Sequence, residues 1–191
     1  MIKKSRNGLK NCSEAELDEF VESGAGETLY MICTGFDYMD TIKIIINDFY
    51  NLSIEFSKYI QELVISESSI DKLMVYLMRL YVAAIELPDM EAETESSDDS
   101  KFCPTLSFSE GFETLYWSIF DPFNNSPEDE VVCMSLFDDL KTVLDILQSG
   151  ISEYEAGKIG NAVFTWKFEF EGHTGTHIVN ALKALHAIKS K

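Results

Sequence analysis

The sequence predicts an all-α fold: a single-domain, mostly antiparallel bundle of about six helices with one long acidic loop. Three observations predict it. Apolar residues recur at steps of three and four over most of the chain. Short clusters of Gly, Pro, Asn and Ser separate these runs, and helices joined by short turns settle as antiparallel neighbours. No fixed repeat at solenoid periods is visible. A chain of 191 residues buries enough surface to fold without a disulfide or metal staple.

Residues 1–35 read as an N-terminal extension with one short helix. Its start is Ser13-Glu14-Ala15-Glu16, a capping box in which Ser13 and Glu16 satisfy each other's backbone amides; Leu17, Phe20 and Val21 form its stripe, and Gly24 and Gly26 end it. The bundle domain takes 36–191. From Asp37 or Asp40 to about Val64, Ile42, Ile45, Ile46, Phe49, Leu52, Phe56, Tyr59, Ile60 and Leu63 mark a long helix, with the β-branched cluster Ile44-Ile45-Ile46 its weakest local propensity. Ser68 or Ser69 caps the next helix, Asp71 sits at its positive dipole end, and Leu73, Leu77, Leu80, Ala84 and Leu87 supply its core stripe up to Pro88.

Seven acids and no Lys or Arg between Glu86 and Ser100 make 88–101 a solvated, self-repelling loop. Ser109 and Glu110 then open a predicted helix through Phe112, Leu115, Tyr116 and Ile119, closed by Asp121-Pro122. Ser135 begins another, with Leu136, Leu140, Val143, Leu144 and Leu147 on one side, Asp138, Asp139 and Asp145 off it, and a possible bend at Gly150. Residues 163–171 satisfy two periods. Phe164, Trp166, Phe168 and Phe170 alternate as in a strand, whereas Val163, Trp166, Phe170, His173, His177, Ile178, Leu182 and Leu185 form one helical stripe; the helix accounts for more of the stretch, although Gly172 and Gly175 weaken it.

The second half also resembles a bacterial family catalogued as domain of unknown function 5063. Tyr116-Trp117, Phe120-Asp121-Pro122, Ser135-Leu136, Asp138-Asp139-Leu140, Gly150, Tyr154, Gly157, Trp166, Phe168, His173, Gly175, His177, Ala181-Leu182 and Ala184-Leu185-His186 carry the likeness, which runs over 116–186 and more loosely over 38–90. The resemblance implies a helical fold and brings no activity, substrate or catalytic residue. The chain departs from the pattern at Thr142 and Ile146, where the family has further acids, at Leu144, where it has an aromatic, and at Thr174, where it has a tryptophan.

Charge excludes several functions. The formal net charge is −18, and the basic residues are scattered, so the footprint needed for nucleic acid or an anionic membrane surface is missing. No apolar run reaches membrane-spanning length. Cys12, Cys33, Cys103 and Cys133 have no C-x-x-C spacing and the N-terminus has no apolar signal core, which predicts a cytoplasmic protein with free thiols. No Gly-rich phosphate loop, G-x-S-x-G turn or H-E-x-x-H is present.

One constellation carries chemistry. His173 and His177, at i and i+4 on a helix, project from one face and can share a metal whose remaining ligands come from Asp138 or Asp139, or from Glu169 or Glu171. The plainer role for the histidines is to hydrogen-bond a facing Asp and fix helix register. Asp138 and Asp139 also suit a helix start, where the macrodipole stabilises acids. The expected function is therefore a non-enzymatic protein-binding or accessory module whose partner presents a basic surface. Its structural mark is an exposed apolar patch rimmed by acids. The alternative is a metal-binding protein or metal-dependent enzyme that holds a divalent cation with His173 and His177.

Overall fold

The computed structural model describes residues 38–92, 105–119 and 131–191. The helix expected after Ser13, the middle of the acidic loop, the Asp121-Pro122 stop and Cys12, Cys33 and Cys103 lie outside the described residues. The chain divides into two compact units, Met1–Ile44 and Ile45–Lys191. Of the first unit only 38–44 are described, the opening turns of α1, where Asp40 and Lys43 pair at 3.3 Å.

The second unit is mostly helical. Helix α1 (Tyr38–Glu62) runs into it and buries Ile46, Phe49, Leu52, Phe56 and Ile60, as its periodicity predicts. A two-residue strand, β1 (Val64–Ile65), and a 3-10 turn (Glu67–Ser69) lead to α2 (Ile70–Glu86). Ser69 stands at the N-cap of α2 but its side chain does not cap that helix; it closes the preceding 3-10 turn, where the Ser66 amide donates to Ser69 Oγ at 3.0 Å and that hydroxyl donates back to the Ser66 carbonyl at 2.8 Å. Leu87, with ψ 136°, has left the helix ahead of Pro88. Tyr59 against Tyr76 and Glu55 against Arg79 show that α1 and α2 run antiparallel.

The expected helix through 109–119 is instead strand β3 (Leu115–Ile119), preceded by β2 (Ser107–Phe108), which pairs parallel with β1. Strand β3 pairs antiparallel with β4 (Val131–Ser135), with Trp117 opposite Cys133 and Ile119 opposite Val131. Phe112, Leu115, Tyr116 and Ile119 also fit helical steps, but Leu115-Tyr116-Trp117-Ser118-Ile119 is rich in strand formers. Its alternation is inverted: the apolar Leu115, Trp117 and Ile119 face outward while Tyr116 and Ser118 face in. The all-α expectation is thereby corrected to a mostly helical fold with two small sheets.

Ser135 caps α3 (Leu136–Glu155) by accepting from the Asp138 amide at 3.3 Å. After the turn at Gly157, whose φ of 79° suits glycine, comes α4 (Ile159–Glu169), a π-helical turn (Phe170–Thr174) and α5 (Gly175–Lys189). Backbone angles stay right-handed helical through both junctions, so these three pieces form one rod. The helical alternative for 163–171 is the one adopted. The rod packs against α3 in antiparallel fashion, with Thr165 on Glu153 and His177 on Asp139, and against α2, where Tyr81 meets Phe170 edge-on and Lys189 pairs with Asp71.

Trp166 is at the centre. It is buried, contacts Phe49 at 5.0 Å between centroids, and donates its indole N–H to the Leu147 carbonyl at 3.3 Å. Gly150, where the sequence suggested a bend, lies inside the continuous helix α3 and makes room for that indole, because a Cβ there would lie 2.1 Å from Trp166 Nε1. Alanine favours a helix over glycine by about 1 kcal/mol, but overpacking a closed core costs about 1–3 kcal/mol. Gly150→Ala is therefore expected to lower stability by up to about 2 kcal/mol in urea unfolding, with altered Trp166 fluorescence. A more stable variant would show that the indole is not wedged against the helix.

Candidate functional site

The first turn of α3, the inward face of β3 and the first turn of α5 meet around one carboxylate. Asp139 is 1% exposed, although its sequence position suggested the outer side of the helix. A carboxylate removed from water must be hydrogen-bonded. Tyr116 O–H donates to its Oδ2 at 2.5 Å, and His177 Nδ1 lies 2.7 Å from its Oδ1. An ionised carboxylate only accepts, so Nδ1 carries the proton and His177 Nε2 is turned away from Asp139. Nε2 of His177 lies 3.1 Å from Nε2 of His173, with the two rings nearly perpendicular. Burial, and then the hydrogen bond to Asp139, push the Tyr116 hydroxyl well above its ordinary pKa, so it remains a donor.

His173, His177 and Asp139 thus come together, as a line rather than around a common point. Asp138 does not join them: it is exposed, and the adjacent position on a helix points about 100° away. Glu171 pairs with Lys167 at 3.3 Å. Among the described residues no three His, Cys, Asp or Glu side chains surround one point. In the sequence Tyr116 stood only as one position of a predicted helix and among the residues that carry the family likeness. The signal for its role is that a partly buried phenol requires a hydrogen-bond partner. The π turn sets the phase: Thr174 is buried where the expected stripe placed His173, and His173 faces solvent. Thr174 and Ile146, two of the departures from the family pattern, line a core cavity of about 20 Å³, and Thr174 Oγ has no hydrogen-bond partner among the described residues.

Two apolar surfaces lie elsewhere. One is the outer face of the β3–β4 ribbon, with Leu115, Trp117 (69% exposed), Ile119 and Val131, and the exposed thiol of Cys133. The other is a groove of about 590 Å³ between α1 and α2, whose walls include Ile45, Leu52, Met78 and Val82 and whose rim carries Asp48, Glu55 and Glu86. Along α2 the exposed Val75, Met78, Val82 and Ile85 repeat at steps of three and four. Helix α2 is therefore apolar on two faces, of which only one is packed into the core.

These features define a mostly helical domain with a Tyr–Asp–His–His chain built on a buried carboxylate and, among the described residues, two exposed apolar faces. The chain belongs to the family described as Domain of unknown function (DUF5063), whose model matches residues 41–191. It is similar in fold to the crystal structure of protein BF1032 from Bacteroides fragilis, with a TM-score of 0.52, 16% identity, and 82% of this chain and 98% of that chain covered. No curated protein matches it. No helix among the described residues is long and apolar enough to cross a membrane.

Removing the Tyr116 hydroxyl leaves a buried carboxylate one donor short, which costs about 1–3 kcal/mol. Tyr116→Phe should accordingly lower the free energy of unfolding in urea by that amount, and should loosen the hairpin in hydrogen exchange. Unchanged stability would mean that water replaces the phenol at Asp139.

Proposed function

We propose that this protein is a non-enzymatic, cytoplasmic binding module whose α1–α2 groove receives an amphipathic, basic helix of a partner protein. The observation that carries this reading is the exposed stripe Val75, Met78, Val82 and Ile85 beside a groove rimmed by Asp48, Glu55 and Glu86. Exposed apolar surface of this kind, rimmed by polar groups, favours protein association. An interhelical groove accommodates apolar anchors spaced three and four residues apart on a single helix. The rim sets the sign of the partner. Three acids face one cation, Arg79, which Glu55 reaches at 3.9 Å, and the whole chain carries a formal charge of −18. Lysines and arginines flanking the partner's apolar stripe would speed encounter and select against acidic competitors. The exposed thiol of Cys133 suits a reducing compartment.

The test uses the full chain, a fluorescent Leu/Lys helical peptide with one apolar face, and a scrambled peptide of the same composition. Anisotropy should show saturable binding that weakens with added salt, with the scrambled peptide bound at least about tenfold more weakly. The double variant Met78→Lys/Val82→Lys should weaken binding by about tenfold or more. Because both side chains are exposed, its stability should stay within about 0.5 kcal/mol of the parent for each change. Equal binding of the scrambled peptide, or an unaffected double variant, would reduce the interaction to general charge attraction and refute the groove.

A further inference from the structure

We propose that the two Nε2 atoms of His173 and His177 form a binding site for one divalent transition cation of the zinc, nickel or copper class. This site shares no residue with the groove. The two nitrogens are 3.1 Å apart and belong to rings held edge to face. A cation at the usual 2.0–2.1 Å from each would subtend an angle of about 95–100°, within the range of tetrahedral and square-based coordination. His177 is prepared for this. Its Nδ1–H is committed to Asp139, itself held by Tyr116, which leaves the Nε2 lone pair facing His173. A carboxylate that fixes the tautomer and orientation of a ligating imidazole is the usual outer support of a metal-bound histidine.

The protons balance. In the metal-free neutral pair one Nε2 proton bridges the two rings, donated by His173 to His177. Binding moves that proton through solvent to His173 Nδ1, so both Nε2 lone pairs are available and no net proton is lost. Imidazole pairs select borderline cations over magnesium or calcium, which require oxygen ligands. The remaining coordination positions face solvent, because His173 is exposed, and they can take water or a carboxylate from a small molecule or partner. Asp138 lies outside the site, and Asp139 supports it without ligating.

The experiment is calorimetric titration of the untagged full chain with nickel and with zinc chloride. The expected result is one equivalent bound and a loss of about 10–100-fold in affinity in Asp139→Asn, the size of effect typical of a removed outer partner. His173→Ala should abolish this binding at an unchanged melting temperature, since that ring is exposed, whereas His186→Ala should leave it intact. His173→Ala keeps the test decisive even if His177→Ala does not fold. Absence of saturable binding for both cations, or binding that survives His173→Ala, would overturn the proposal.

Discussion

A carboxylate buried in the first turn of a helix is the constraint on which the rest of this structure depends. Asp139 has lost nearly all its contact with water, so it must find donors. It takes one from the β-ribbon and one from α5. Those two hydrogen bonds tie three segments remote in the chain to one point. They also dictate the orientation of His177, and through it the meeting with His173. A polar chain anchored on a buried carboxylate specifies one arrangement, because a shift of the rod by a single residue would cost Asp139 its histidine donor.

The apolar core imposes a second, complementary restriction around Trp166. The indole fills the notch left by Gly150, caps the Leu147 carbonyl and touches Phe49 of α1. Shape at this point fixes how α3 and the rod lie against each other, and the polar chain fixes the same pair further along. Between the two anchors the rod accommodates a π turn at Phe170–Thr174. The turn rotates α5 relative to α4, which keeps both Trp166 and Ile178 in the core while bringing His177 onto Asp139. Gly175 permits it, since a Cβ there would press on the Phe170 carbonyl at 2.7 Å.

Surface chemistry is divided in a way the core does not require. The chain is strongly acidic, with a formal charge of −18, yet α2 and the outer face of the ribbon expose apolar side chains in ordered rows. The groove between α1 and α2 combines both properties, with Ile45, Leu52, Met78 and Val82 beside Asp48, Glu55 and Glu86. The histidine pair belongs to a different element set and shares no residue with the groove. The two proposed sites are therefore separable by mutation.

Periodicity alone determined the helices whose apolar stripe faces the core: α1 by Ile46, Phe49 and Phe56, α2 by Leu73, Leu77 and Leu80, α3 by Leu136, Leu140 and Val143. Ser135 and Pro88 likewise placed helix ends, because capping and proline sterics are local. The i, i+4 spacing of His173 and His177 and the acid at Asp139 were legible too. Tertiary structure decided the places where local signals were degenerate or inverted. The stretch Leu115–Ile119 fits both helix and strand, and partnership with Val131–Ser135, further along the chain, selects the strand. Asp139 rather than Asp138 turns inward because Tyr116 and His177 wait there, and only the folded chain brings those donors within 2.7 Å. Local sequence specifies backbone preference and amphipathic phase; which buried charge is satisfied, and by whom, depends on side chains that meet only after the helices pack.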